Sequence, residues 1–220
     1  MGSSTGTNNV VVGKDAAIGM TSGDENVFAG YQSGYSATTS DENTALGYQS
    51  LYTNTLSSYN VALGHKALYT LNRSDAGGQN TAVGNAAGRD MTDGRYNACY
   101  GSAAGRAVTS GEQNTIIGAY AAAGSSAVTG DLNTFIGYGA GKDSTTSGSN
   151  NTIIGCDAEA SSATVSNEVT IGDTNVTKFR IPGINVTLKD NGGTPTQGHV
   201  LTCLLYTSDA ADEEDSVDLG

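Results

Sequence analysis

The sequence predicts an all-β parallel solenoid of about ten coils, each roughly 17 residues long. A step of the form Asn-x-x-x-Gly recurs along the chain, and the three residues inside each step are good strand formers. The composition points the same way, with 31 Gly, 2 Pro, no Trp and only 37% hydrophobic residues among 220. A compact core needs more large apolar side chains, which leaves disorder or a fold that stacks small residues. The regular period favours the stacked fold.

The repeated step begins with Asn in nine coils and with Glu in the tenth. Its first residues are Asn9, Asn26, Asn43, Asn60, Asn80, Asn97, Asn114, Asn133, Asn151 and Glu168. The Gly four places later is Gly13, Gly30, Gly47, Gly64, Gly84, Gly101, Gly118, Gly137, Gly155 and Gly172. We expect the Asn amides to stack into a hydrogen-bonded ladder. We expect each Gly to form a turn that needs positive φ or close backbone approach.

The strand inside each step is apolar on both faces. Because strand side chains alternate, the second residue points away from the first and third. One face fills the thin interior of the coil, where Cys99 is expected as a small apolar filler, and the other needs a partner surface. We therefore expect a homo-oligomer.

The residues after each Gly predict a second short strand and then a polar turn. A small residue lies seven places after each Asn, as in Ala67 and Ala87, and lets neighbouring coils approach closely. The coils close through turns such as SGDE and TSGEQ. The longest coil carries its extra residues in LNRSDAGGQ (71–79), and such insertions often collect on a binding face.

Charge and cysteine usage exclude several classes of function. The net charge of −12 argues against nucleic acid and anionic membranes, which need basic patches. Cys99, Cys156 and Cys203 share no spacing that indicates a disulfide framework or a zinc site. The start MGSSTGTNN shows no signal peptide, and no apolar run is long enough to span a membrane. We expect no cofactor, no metal and no catalytic residues.

The sequence motif of the repeat, as in NTAVGNAAG (80–88) and NTFIGYGAG (133–141), resembles that of the repeat region of bacteriophage tail fibres. It is also similar to the head of trimeric autotransporter adhesins, where short Asn- and Gly-marked repeats build a β-roll in each of three chains. The resemblance covers residues 9–178 and implies a homotrimer that recognises a cell surface, located on a virion or a bacterial surface. It carries no catalytic residues to this chain.

Four segments are predicted from these patterns. Residues 1–8 form a polar lead, 9–178 the solenoid, and 179–202 a neck that begins where the repeat breaks near Pro182 and Gly183. The blocks CLLYTSDAADE (203–213) and SVDLG (216–220) resemble the translation of a transposase-derived sequencing adapter. We therefore expect 203–220 to be an artefact and the natural C-terminus to be missing after about residue 202.

Two rows of side chains are candidate surface sites. Tyr35, Tyr52 and Tyr69 lie nine places after their Asn, and Tyr31, Tyr48 and His65 five places after. Stacked aromatics can offer a platform for sugars, although a ladder that packs between coils or at a subunit interface is favoured.

In later coils, the position nine places after the Asn holds Arg89, Arg106 and Lys142. This basic strip can meet an anionic polysaccharide, although pairing with Asp90, Asp93 or Glu112 is favoured. The acidic turns at Asp24-Glu25 and Asp41-Glu42 are read as solvated rather than cation-binding.

The sequence is therefore interpreted as a structural, receptor-binding fibre protein that binds a host glycan or protein receptor. Two alternatives stay open. A surface-polysaccharide depolymerase needs paired carboxylates in a groove, and an ice-binding solenoid needs a flat Thr array, of which Thr44, Thr81, Thr115, Thr134 and Thr152 are candidates.

Overall fold

The computed structural model describes residues 5–75, 77–143 and 147–178, and Met1–Lys178 form one compact unit. The predicted neck and adapter-like segment therefore lie outside the described residues. Ten three-residue strands form one parallel sheet in chain order. They are β1 Val10–Val12, β2 Val27–Ala29, β3 Thr44–Leu46, β4 Val61–Leu63, β5 Thr81–Val83, β6 Ala98–Tyr100, β7 Thr115–Ile117, β8 Thr134–Ile136, β9 Thr152–Ile154 and β10 Val169–Ile171.

The predicted β-solenoid is confirmed. Each strand begins directly after the Asn or Glu of its step and ends directly before the Gly. Equivalent residues pair across neighbouring coils, as in Ala45 with Ala62, even where the coil between them has 20 residues, as in Ala62 with Ala82. The ten strands are separated by nine turns of the solenoid. Each solenoid turn has about 17 residues and adds one strand to the sheet.

The interior of the solenoid is built from the strand middles and from the small residues that follow. The middle residue of β2 to β9 is at most 1% exposed, and so is the small residue seven places after the Asn in all nine coils. The buried strand middles are Phe28, Ala45, Ala62, Ala82, Cys99, Ile116, Phe135 and Ile153. The placement of Cys99 as an interior filler is thereby confirmed. The first and third residues of the strands point outward and are half-buried or exposed. Their burial against a partner chain stays a prediction.

The second short strand was predicted wrongly, since turns follow the Gly in each coil. The backbone there has positive φ at alternate residues, as at Gln32 with φ 55° and Gly34 with φ 58°, which is not the conformation of a strand. Alternate N–H groups still point toward the two neighbouring coils: Gln32 donates to the Lys14 carbonyl of one coil and Gly34 to the Ser50 carbonyl of the other. The coils are therefore hydrogen-bonded through the turns as well as through the strands.

The Gly of the repeated step occupies a conformation that side chains rarely adopt. Nine of these glycines have φ between 130° and 141°. A Cβ built on Gly47 would lie 2.4 Å from the carbonyl oxygen of Gly64 in the next coil. Glycine is therefore required both by φ and by the closeness of the coils.

Side-chain sizes are matched across the interior. The position eight places after the Asn is Gly34 and Gly141 in the coils whose strand middles are Phe28 and Phe135. A Cβ on Gly34 would lie 2.5 Å from the Phe28 ring, and one on Gly141 would lie 2.3 Å from the Phe135 ring.

The opposite combination occurs in two of the three coils whose strand middle is Ala; in the third, Ala82 is combined with Gly88. Where the strand middle is Ala45 or Ala62, the same position is a fully buried Leu51 or Leu68. Each of these two coils thus fills its narrow interior with one large side chain from one of two places, as close packing demands.

Candidate functional site

The Asn ladder runs through the whole described solenoid and is confirmed. Each buried Asn of the ladder bonds to the coil before it and the coil after it. Asn97 donates from Nδ2 to Asn80 Oδ1 at 3.2 Å and to the Gly111 carbonyl at 2.8 Å. Its Oδ1 accepts from the backbone N–H of Asn114 at 2.9 Å and from Asn114 Nδ2 at 3.0 Å. These bonds satisfy backbone groups that burial would otherwise leave unpaired.

Glu168 changes the ladder in the tenth coil. Its backbone N–H donates to Asn151 Oδ1 at 3.0 Å, as an Asn would. Its carboxylate instead accepts from the Ser161 backbone N–H and hydroxyl and from the Thr170 hydroxyl. The bonds from Ser161 lower the pKa of the Glu168 carboxyl. Glu168 thus replaces a bridge between coils by bonds to nearby residues.

The acidic turns form a second ladder. The Asp41 carboxylate accepts from the Asp24 backbone N–H at 2.8 Å, and the Asp131 carboxylate accepts from the Glu112 N–H at 2.8 Å. The Ser58 hydroxyl oxygen accepts from the Asp41 N–H in the same way, at 2.9 Å. Within the described residues, no group of three or more His, Cys, Asp or Glu side chains is placed to hold a metal ion. These turns therefore join coils through carboxylate-to-backbone bonds.

The structure brings the predicted tyrosines together in two stacked rows. In the first row Tyr31 and Tyr48 have ring centroids 5.3 Å apart, and Tyr48 and His65 are 5.1 Å apart. In the second row the separations are 4.9 Å for Tyr35 and Tyr52 and 5.1 Å for Tyr52 and Tyr69. Interplanar angles are between 10° and 18°. The rows are thus regular across three coils.

The rings lie face to face rather than side by side, because two coplanar phenol rings would overlap at these centroid distances. The rows therefore offer to solvent hydroxyl groups, ring edges and the parts of the ring faces that the neighbouring ring does not cover. Each stacked pair contributes about 0.5–1.5 kcal/mol beyond area burial. The pKa of Tyr52 is raised by partial desolvation and then by the neighbouring Tyr35 and Tyr69.

A row of polar side chains occupies the position between the two aromatic rows in sequence. Gln49 Nε2 donates to Gln32 Oε1 at 2.8 Å, which makes an amide pair across two coils. Lys66 is next in the row, with its ammonium 5.4 Å from the Tyr69 ring centroid. We call the three rows together the tyrosine surface, and its members are Tyr31, Gln32, Tyr35, Tyr48, Gln49, Tyr52, His65, Lys66 and Tyr69.

The structure places the three cations of the basic strip next to acceptors. Arg89 forms two bonds of 2.7 Å with Asp90, and Arg106 donates to the Ala123 carbonyl at 2.6 Å. Lys142 Nζ lies 3.9 Å from an Asp143 oxygen. These half-exposed pairs contribute little stability. They do reduce the positive charge that the strip offers to an anionic polysaccharide.

Sequence reasoning missed Arg73, which lies in the 71–79 insertion and is only 8% exposed. Its guanidinium bonds the Asp75 carboxylate at 2.9 and 3.1 Å, lies 3.2 Å from an Asp93 oxygen, and donates to the Asp93 carbonyl. Glu112 lies 3.8 Å away and bridges to Arg95 at 2.8 Å. The hydrogen bond from Arg73 lowers the pKa of the Asp75 carboxyl. The insertion is thus fastened to later coils. The Arg-x-Asp spacing inside the longest coil was the sequence signal that could have indicated this ion pair.

The two described cysteines differ in exposure. Burial raises the pKa of the Cys99 thiol to about 12. Cys156 is exposed, and partial desolvation together with Asp157 raises its pKa as well. Neither has the lowered pKa of a nucleophilic thiol.

The fold and its surfaces define a parallel β-solenoid repeat protein whose coils are joined by side-chain ladders. No family model, no curated protein and no solved structure matches the chain. No helix in the described part of the chain is long and apolar enough to cross a membrane.

Proposed function

We propose that the chain is a fibre protein, the shaft of a phage tail fibre or the head of an adhesin, that assembles as a homotrimer and attaches to a host cell surface. Its place would be the virion or the bacterial surface. Its receptor would be a surface glycan or protein. The observation that carries the proposal is the outer sheet face, which we define as the first and third residues of β1 to β10.

The outer sheet face carries no charged residue along all ten strands, although the chain has a net charge of −12. Several of its members are large and exposed, such as Leu46 at 40% and Ile117 at 42%. Nine strand spacings and three residues of rise give a flat area of roughly 43 by 10 Å, or about 430 Å². This is the size of patch that marks interaction sites on soluble proteins.

A second copy of the same chain is the partner that fits this face. The face is uncharged, so equal copies meet there without the repulsion that their acidic turns would cause. The strands repeat at one spacing, so copies side by side keep the same contacts along the whole rod. A trimer in which each chain buries this face leaves the tyrosine surface and the turns repeated three times, and weak contacts then add through effective concentration.

Sedimentation equilibrium of the full chain tests the assembly. We expect three times the chain mass of 22.2 kDa. Ile117→Lys places a charge on the outer sheet face and should shift the mass toward the monomer. Ser110→Lys, an exposed position outside that face, is the matched control and should remain trimeric. A monomeric wild-type chain at micromolar concentration would contradict the trimer.

Attachment is tested by adsorption of the fluorescently labelled chain to a panel of encapsulated and unencapsulated bacterial strains. We expect saturable adsorption to a subset of strains and no release of oligosaccharide from their capsules. Release of oligosaccharide would favour the depolymerase instead. Absence of adsorption to every strain, with the trimer intact, would contradict the receptor-binding role.

A further inference from the structure

We infer that the tyrosine surface binds a neutral, linear polysaccharide that lies parallel to the solenoid axis. The inference rests on the proposed attachment function and specifies its ligand class and its contact residues. It is carried by the spacing of the rows, by the chemistry of the groups they present and by their charge.

The spacing favours a ligand that itself repeats. The same three positions recur in three consecutive coils, with ring centroids 4.9 to 5.3 Å apart. This is close to one strand spacing of about 4.8 Å. An extended chain of linked pyranoses advances by a similar distance per sugar, so successive sugars meet equivalent groups on successive coils.

The groups presented are those that bind sugar hydroxyls. The bond between Gln49 and Gln32 uses one amide hydrogen and one carbonyl lone pair. A primary amide has two donor hydrogens and two lone pairs, so both amides retain capacity to bind ligand hydroxyls. The stacked rings add phenol hydroxyls, and those of Tyr31 and Tyr48 belong to residues that are 39% and 44% exposed. The ring edges offer apolar contact to the C–H groups of a sugar.

The charge of the surface favours a neutral ligand. Its nine residues include no carboxylate and one cation, Lys66, whose ammonium already lies near the Tyr69 ring. Further along the rod, the cations of the basic strip lie beside Asp90, Asp143 and a backbone carbonyl. A polyanion would meet an acidic chain with few free cations, and a sugar polymer without charge avoids this cost.

Affinity electrophoresis of the full chain in native gels tests the inference. The gels contain hydroxyethylcellulose, xylan or mannan as neutral probes and alginate as the anionic probe. We expect retardation by at least one neutral polysaccharide and none by alginate. The variant Gln32→Ala/Gln49→Ala should weaken that binding at least tenfold. Alanine is tolerated at these left-handed positions, because Ala86 and Ala103 occupy them in later coils.

The matched control is Gln79→Ala/Gln113→Ala. These glutamines also have φ near 55°, at 55° and 58°, but they precede the strand and lie away from the tyrosine surface. The control should bind as the wild type does. A second variant, Tyr48→Phe/Tyr52→Phe, keeps the rings stacked and removes two hydroxyls, and it should weaken binding at least threefold.

Three results would overturn the inference: no retardation by any neutral polysaccharide, stronger retardation by alginate, or equal loss in both glutamine variants. Failure here is distinguishable from failure of the attachment role. Adsorption to cells that is unchanged in Gln32→Ala/Gln49→Ala would reject the tyrosine surface as the contact while the fibre proposal stands. If the wild-type trimer adsorbs to none of the strains, the fibre proposal itself is rejected.

Discussion

Replacing Asn97 by Ala removes one rung of the Asn ladder from the middle of the solenoid. Asn97 is 1% exposed, so water cannot take the place of its amide. The change leaves the Gly111 carbonyl without its 2.8 Å donor and the Asn114 backbone N–H without its 2.9 Å acceptor. Both groups belong to the buried or half-buried seam between coils.

The expected magnitude follows from these two orphaned groups. An unsatisfied buried donor or acceptor costs about 1–3 kcal/mol. Two of them give a loss of about 2–6 kcal/mol in the free energy of unfolding. Because each coil of a solenoid is stabilised by its neighbours, the loss falls on the interfaces with the coils before and after.

Urea unfolding followed by far-ultraviolet circular dichroism measures this loss. The matched control is Asn85→Ala, which removes an exposed amide that forms a hydrogen bond with the His65 ring at 3.3 Å, and should cost less than about 0.5 kcal/mol. Both variants are compared with the wild type at one protein concentration, because an oligomer's stability depends on it. A loss below about 1 kcal/mol for Asn97→Ala would refute the reasoning that the ladder satisfies buried backbone groups.

Three further predictions concern the close approach of coils and the interior. Gly47→Ala should lower the free energy of unfolding by at least about 3 kcal/mol, because the new Cβ would lie 2.4 Å from the carbonyl oxygen of the next coil. Gly77→Ala is the control: the atom nearest to its Cβ would be 3.5 Å away, so the same urea assay should find it near neutral. Gly34→Ala should be strongly destabilising, and adding Phe28→Ala should recover part of the loss; strictly additive effects in the double-mutant cycle would contradict the size matching. Cys99 should resist iodoacetamide at pH 8 in the native chain and react only in denaturant, as read by peptide mass mapping, because burial raises its pKa to about 12; rapid native labelling would contradict its burial.

The strands and their register were predictable from the sequence because one short signal sets them. The Asn forms the hydrogen-bonded ladder and the Gly forms the turn. The three residues between them are good strand formers and have an extended backbone. Strand β5 pairs in register with β4 although 20 residues separate Thr81 from Val61. Insertions outside the step therefore leave the register unchanged, as the pattern indicates.

The second part of each coil was not predictable in the same way. Among the described residues, twelve residues other than Gly that lie six or eight places after the Asn have positive φ, among them Gln32, Leu68 and Tyr120. Such residues carry no common sequence signal, and side chains in this conformation are uncommon. They are held there by hydrogen bonds to the coils on either side, which exist only when the coils stack. Propensity alone therefore indicated a strand where the chain forms turns.

The candidate surfaces were predicted only as rows of positions. The spacing identified Tyr35, Tyr52 and Tyr69 as equivalent, but ring orientation and the amide pair beside them depend on contacts between coils. Charges were paired differently from the expectation at Asp93 and Glu112, which lie against Arg73 and Arg95 rather than the basic strip. Long flexible side chains choose partners by distance through space, which one sequence does not give.

The sequence by itself determined the solenoid, its strands, its register and its interior row of small residues, because these follow from a local step repeated at one period. Only the tertiary structure decided the left-handed turns and the ion pairs of Arg73. It also decided which interior position holds the large side chain, Phe28 opposite Gly34 in one coil and Leu51 opposite Ala45 in the next. Each of these depends on atoms from separate coil positions meeting in a narrow interior or seam. Their identity is set by packing and hydrogen-bond satisfaction rather than by neighbours along the chain.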